Sequence, residues 1–111
     1  MLNIQTVGSV SIIRSPNSLQ GDSLVQCQQS VTDCFAKRRP LIILDLSDSP
    51  LINSEGLEFI VDAQRQCLSR GGKLVVAGPQ PLCAEILFIT GVEDCVGVFH
   101  DMRSALSDFA K

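Results

Sequence analysis

The sequence is short of the groups on which most chemistry depends. It holds one histidine in 111 residues. That residue, His100, follows the last apolar stretch, where a solvated loop position is expected and a general base is not. The sequence has no G-x-S-x-G, no G-x-x-x-x-G-K-[ST] and no G-x-G-x-x-G. Gly71-Gly72 precedes an apolar strand and opens no helix, which is the wrong context for cradling a phosphate. The five cysteines (Cys27, Cys34, Cys67, Cys83 and Cys95) are odd in number and form no C-x-x-C pair. With one histidine beside them, a zinc site has little support, and buried free thiols in a reducing cytoplasm are expected. No cofactor and no metal are implied.

A basic excess is also missing. Nine Lys and Arg stand against twelve Asp and Glu, for a net charge of −3 and a pI near 4.9. Neither nucleic acid nor an anionic membrane surface is an expected partner of such a chain. The run Lys37-Arg38-Arg39 falls at an expected helix end, where cations suit the helix dipole. No apolar run approaches the ~20 residues of a membrane span, so no insertion is expected. Residues 1–13 alternate, without a basic start or a small-residue cleavage site, and are not expected to be a leader.

What is present is a chain with 45% hydrophobic residues, read as one globular domain over 1–111. Residues 2–7 and 9–14 alternate at period two around Gly8-Ser9 and predict an antiparallel hairpin. A helix is expected over 22–37, capped by Asp22, with Leu24, Gln28, Val31 and Phe35 on its buried stripe and Cys27 and Cys34 beside it. Leu41–Leu46 is nearly unbroken apolar sequence, the mark of a strand covered on both faces at the centre of a parallel sheet. After a loop over 47–53 comes a helix of about 54–70, its stripe Leu57, Ile60, Val61, Gln64, Cys67 and Leu68, with Gly71-Gly72 as its left-handed cap.

A strand over 73–77 follows, and then a helix with Pro81 at its first position and Gly91 at its end. Leu82, Ile86 and Ile89 mark its expected buried face, with Cys83 and Leu87 alongside and Phe88 off that face. A short strand over 95–99 and a helix capped by Asp101 close the chain, with Met102, Ala105, Leu106 and Phe109 facing inward. The fold class is α/β: a mixed, mostly parallel sheet with an antiparallel N-terminal strand, packed by about four helices.

Functional residues are sought at the carboxyl end of the central strand, where open α/β sheets bind and react. Ser54 falls there, at the amino end of a helix. A phosphate on it would add about −1.5 to −2 charge where a helix start favours an anion. Glu55 and Glu58 would oppose that charge and make the modified surface strongly acidic. The simpler reading is that Ser54 or Asn53 is an N-cap contributing ~1 kcal/mol. Asp45, Asp48 and Glu55 gather near the same end, but nothing sets two of them on opposite sides of a substrate. A hydrolase with Ser54 as nucleophile lacks a base in any recognisable motif.

The segment LDLSDSPLINSEGLEFIVDAQRQCLSRGGKLVVAG, with Ile89-Thr90-Gly91-Val92, Cys95–Phe99 and Ser104-Ala105-Leu106 after it, resembles the STAS domain family. That family includes bacterial anti-sigma factor antagonists and the cytoplasmic domains of sulfate transporters. The likeness covers 41–107 well and the first forty residues in element order. It implies a non-enzymatic regulatory binding module whose phosphorylatable serine, in the family's D-S-S/T-G-L, matches Ser54. Asn53 stands where the family has aspartate, and Glu55 where it has a second hydroxyl residue. Ser15-Pro16-Asn17 replaces the family's G-x-L/I-D.

The implied partner is an anti-sigma factor or a serine kinase of that type. The alternative is the ATPase of a lipid-transport ABC complex, stabilised by a small cytoplasmic subunit. The partner-binding positions implied are Asn17, Asp48 and Ser49, then Asn53, Glu55 and Gly56, with Phe88 as an aromatic anchor on a flanking helix.

Overall fold

The computed structural model describes residues 4–110. Its core is a five-stranded sheet in the order β1-β2-β3-β4-β5. β1 (Ile4–Val7) and β2 (Val10–Arg14) form the expected hairpin, with Val7 opposite Val10 across Gly8-Ser9. Residues 2 and 3 of the predicted first strand lie outside the described residues. β3 (Leu41–Asp45) runs parallel to β2 and β4 (Lys73–Ala77), and β5 (Gly97–Phe99) runs parallel to β4. β3 is central, and Ile42, Ile43 and Leu44 are all fully buried, as a two-sided apolar strand requires.

The helices divide between the faces. α1 (Gly21–Ala36), α2 (Ser54–Ser69) and α3 (Pro81–Ile89) cover one face through Leu24, Cys27, Ile60, Cys67, Cys83 and Leu87. α4 (Met102–Phe109) alone packs the other, with Ala105 against Ile43, Val75 and Ala77 and with Met102, Leu106 and Phe109 around it. Each helix follows a strand, so all four start at the carboxyl end of the parallel strands and finish at the amino end.

Several expectations change in detail. α1 begins at Gly21 with Gln20 as a cap that makes no side-chain bond, so Asp22 sits in the first turn and caps nothing. Leu24, Val31, Cys27 and Cys34 are buried as expected and Ser23 and Ser30 join them, while Phe35 is half-buried and Gln28 is exposed. In α2, Phe59 and Ala63 join the core while Leu68 is exposed. In α3 the buried pair is Cys83 and Leu87, and Leu82 and Ile89 face outward. The last strand starts at Gly97 because Gly91, at φ 78°, opens a 3-10 turn over Val92–Asp94 that consumes the preceding residues.

Four of the five cysteines are buried thiols, but Cys95, just after that turn, is exposed. Burial pushes the Cys27 thiol up to about 11 and the Cys67 thiol up to about 12, so both are protonated at neutral pH.

Gln64 holds the sheet together where a strand is missing. β5 starts opposite Val75, which leaves the Leu74 N–H without a partner strand. Gln64 Oε1 accepts from that N–H at 2.7 Å, and Gln64 Nε2 donates to the Cys95 carbonyl at 2.9 Å. Both ends of a buried amide are thereby satisfied. Among the described residues no helix is long and apolar enough to cross a membrane.

Candidate functional site

At the carboxyl end of β3 the chain turns sharply, and hydrogen bonds hold the turn. Asp45 Oδ1 accepts from the Ser47 N–H at 2.9 Å, and the Ser49 N–H donates to the Leu46 carbonyl at 3.0 Å. Two loops then fasten together. The Asn17 carbonyl accepts from the hydroxyls of Ser15 (2.7 Å) and Ser49 (2.6 Å), and the Leu19 N–H donates to the Leu51 carbonyl at 2.9 Å. A parallel bridge between Leu19 and Ile52 completes the join. From α3, the Cys83 thiol donates to the Ser49 carbonyl at 3.1 Å and Gln80 Nε2 donates to the Ser47 carbonyl at 2.9 Å. The loop over 47–53 therefore has a fixed shape before any partner arrives.

That shape delivers Asn53 to the cap of α2. Its backbone is extended (φ −92°, ψ 179°), and its Oδ1 accepts from the Gly56 N–H at 2.8 Å. Asn53, not Ser54, is the N-cap. Ser54 is exposed at the first helical position, and among the described residues its hydroxyl makes no hydrogen bond. A helix start also leaves its first amides unbonded within the helix. Ser54 thus presents a free hydroxyl beside free N–H donors.

The remaining candidate residues separate into two sets. Asn17, Asp48, Glu55 and Phe88 are exposed, and Asn53 is half-buried. Asp48 pairs with Arg14 at 2.5 Å on the surface, and Asn17 Oδ1 accepts from the Ser18 N–H at 2.8 Å. Ser49 and Gly56, expected among the partner contacts, are buried. Ser49 spends its hydroxyl on Asn17. Gly56 lies against Leu19 and Ile52: a Cβ there would run into the Leu19 carbonyl oxygen and come within 2.9 Å of Ile52 Cγ2. Both are residues that build the loop.

From Ser54 a groove of about 470 Å³ runs between α2 and the end of α3, past Leu57, Glu58, Val61, Thr90 and Val92. The outer surface of α3 is strongly apolar, with Phe88 66% and Ile89 70% exposed and Leu82 half exposed. Sequence periodicity placed Leu82 and Ile89 inside and so missed this patch. Its signal was composition: PLCAEILFI is apolar on nearly every side, and in a surface helix one apolar side must remain outside. His100 is exposed and lies 3.1 Å from its neighbour Asp101. Asp101 caps α4, and the Ser104 N–H it accepts holds its carboxyl below the usual carboxylate range. Among the described residues no three metal-binding side chains converge.

Comparison with known proteins agrees with this architecture. The family model described as the STAS domain matches residues 1–105. Among solved structures, a protein described as an anti-sigma factor antagonist from Thermotoga maritima is 22% identical, with TM-score 0.91 over 99% of this chain and 95% of that one. The anti-sigma factor antagonist SpoIIAA, solved in its unphosphorylated form, is 13% identical, with TM-score 0.81 over 99% of this chain and 96% of its own. The STAS domain of a SulP transporter from Vibrio cholerae is 15% identical, with TM-score 0.79 over 96% of this chain and 84% of that one. At these identities the likeness is one of fold. No curated protein matches at a significant level.

Proposed function

The chain belongs to the STAS domain family, and on that premise we propose that it is a non-enzymatic, cytoplasmic regulatory module that binds a protein partner through the Ser54 end of the sheet. The partner is an anti-sigma factor or a serine kinase of that type, and phosphorylation of Ser54 is the switch. One observation carries this reading: Asn53 takes the capping role and leaves the Ser54 hydroxyl exposed and unbonded at the start of α2. A kinase reaches such a hydroxyl without unwinding the helix. The phosphate then lies near free backbone donors, at a helix end that favours negative charge.

The partner surface is the rim of the fixed loop together with the groove toward α3. Asn17, Asp48 and Asn53 lie on the loop side, Glu55 on the first turn, and Phe88 supplies the aromatic anchor. A phosphate beside Glu55 and Glu58 makes three acidic groups within one turn and raises the desolvation cost of docking there, so modification weakens binding. Ser49 and Gly56 support this surface from below.

The test is incubation with the candidate kinase and ATP, read by intact mass and peptide mapping. One phosphate on wild type and none on Ser54→Ala is the expected result, with Ser54→Asp weakening capture of the kinase or anti-sigma factor. Phosphate on Ser54→Ala would overturn the switch. Co-purification with a transporter ATPase in place of a kinase would replace the partner.

A further inference from the structure

The amino end of the sheet carries a second site. There the two turns that follow α1 and α2 meet: Lys73 N–H donates to the Pro40 carbonyl at 3.1 Å, and Gly72 packs directly on Pro40. Between them lies a cleft of about 310 Å³ lined by Phe35, Arg38, Pro40 and Arg70. Two of its lining residues are apolar and two are arginines. Arg70 lies 4.2 Å over the Phe35 ring, which holds its planar group in place.

The neighbouring cations are occupied. Lys37 pairs with Asp33 at 3.1 Å, Lys73 pairs with Asp108, and Arg39 Nη2 donates to the Gly8 carbonyl at 2.7 Å. Among the described residues, neither Arg38 nor Arg70 has a carboxylate partner, and the one hydrogen bond of the Arg70 guanidinium, from Nη1 to the Gln66 carbonyl, is long at 3.4 Å. Helix dipoles do not use up their charge. The ends of α1 and α2 supply roughly −0.5 each, against four cations (Lys37, Arg38, Arg39 and Arg70) and one carboxylate.

The backbone of Arg38 is the more telling feature. It has φ +56°, the one non-glycine residue with positive φ among those described. α1 and α2 end alike, with bonds from Arg39 N–H to the Cys34 carbonyl and from Gly72 N–H to the Cys67 carbonyl. At the left-handed position α2 has Gly71, at φ +79°, and α1 has Arg38. Glycine is the favoured residue there, so the arginine stands where folding alone selects against it.

We propose that the Arg38–Arg70 cleft is a second docking site, which takes an acidic segment of a partner protein: a carboxylate between the guanidinium groups with an apolar side chain on Phe35 and Pro40. A guanidinium group suits a carboxylate in a bidentate fork. The cleft holds one or two side chains, which suits a short acidic segment and leaves no room for an extended polyanion. The site lies at the opposite end of the sheet from Ser54 and stands or falls independently of the proposed switch.

The test is fluorescence polarisation with the whole protein and a fluorescein-labelled peptide Asp-Glu-Phe-Asp-Glu. Wild type is expected to bind it, to lose affinity as salt rises, and to ignore the Lys-Lys-Phe-Lys-Lys peptide. Arg38→Gly with Arg70→Ala is expected to weaken binding by about tenfold or more. Arg38→Gly alone reports on folding, with an unchanged or higher Tm, and Arg14→Ala at the other end leaves affinity unchanged. The proposal is overturned by equal binding to wild type and the double variant, by no binding below about 1 mM, or by an Arg38-dependent preference for a dT oligonucleotide or phosphatidylglycerol vesicles over the peptide.

Discussion

The two ends of the sheet are built from the same parts and carry opposite charge. At the carboxyl end four helices start, and Asp22, Asp45, Asp48, Glu55 and Asp101 gather there. At the amino end α1 and α2 finish, and Lys37, Arg38, Arg39, Arg70 and Lys73 gather there. Helix dipoles account for the sign at each end, since anions suit helix starts and cations suit helix finishes. They do not account for the particular groups left without a charged partner among the described residues, which are the Ser54 hydroxyl at one end and the Arg38 and Arg70 guanidinium groups at the other. Each end is a rigid frame that holds a few uncommitted groups on its surface. Frame and surface groups therefore respond differently to substitution.

The frame should show the largest effects, at both ends alike. Gly72→Ala puts a Cβ into the Pro40 carbonyl, 2.6 Å from its carbon, and Gly56→Ala does the same to Leu19 and Ile52. These obstacles are mainly backbone and cannot rotate away. Each substitution is expected to cost about 3 kcal/mol in urea denaturation, and a loss below about 1 kcal/mol at either position would show that the frame yields. Gln64→Leu comes next. It leaves the Leu74 N–H buried without a partner and frees the Cys95 carbonyl, for about 2 kcal/mol. Faster hydrogen exchange at Leu74, with little change at Ile43, would locate the loss at the β4–β5 edge.

How far the sequence discloses each part follows from whether the deciding contact is local. β3 was legible because an unbroken apolar run has one reading in an α/β sheet, and the Gly71 turn because a left-handed residue there favours glycine. The buried side of α3 was not legible. Its residues are apolar around most of the helix, and the choice of Cys83 over Leu82 rests on the Ser49 carbonyl 34 positions away. Ser49 itself reads as a surface hydroxyl until Asn17, 32 positions distant, is seen to accept from it. Asn53 and Ser54 are both good caps, so their division of labour needed the extended backbone at Asn53. The Arg38–Arg70 cleft escaped because a basic run at a helix end already has a sufficient explanation in the dipole.

Smaller effects separate cap from candidate acceptor at the Ser54 end. Asn53→Ala removes the bond to the Gly56 N–H and is expected to cost about 1 kcal/mol. Ser54→Ala removes a hydroxyl without a bond and is expected to change stability by less than about 0.5 kcal/mol. Asn53→Asp keeps the cap and adds charge that suits the helix start, so it should at least match wild type. A Ser54→Ala loss as large as that of Asn53→Ala would mean that Ser54 shares the cap, which would remove the main support for its being a free acceptor.

The smallest expected effect is decided by its sign. A left-handed backbone costs an ordinary residue about 1–2 kcal/mol relative to glycine, while glycine returns roughly 0.5–1 kcal/mol of that through the greater freedom of its unfolded chain. Arg38→Gly should therefore stabilise the protein, by a few tenths of a kcal/mol up to about 1. Gly71→Arg, the reciprocal change at the end of α2, should destabilise it by a similar amount, because a Cβ at Gly71 meets nothing within 4 Å and only the backbone is penalised. Thermal unfolding of the two variants beside wild type measures both. If Arg38→Gly lowers stability, the Arg38 side chain contributes more to folding than its backbone costs, and the arginine needs no ligand to explain it. If stability rises, the residue is retained against the preference of the fold, and the amino end of the sheet, like the Ser54 end, holds a group that the frame does not require.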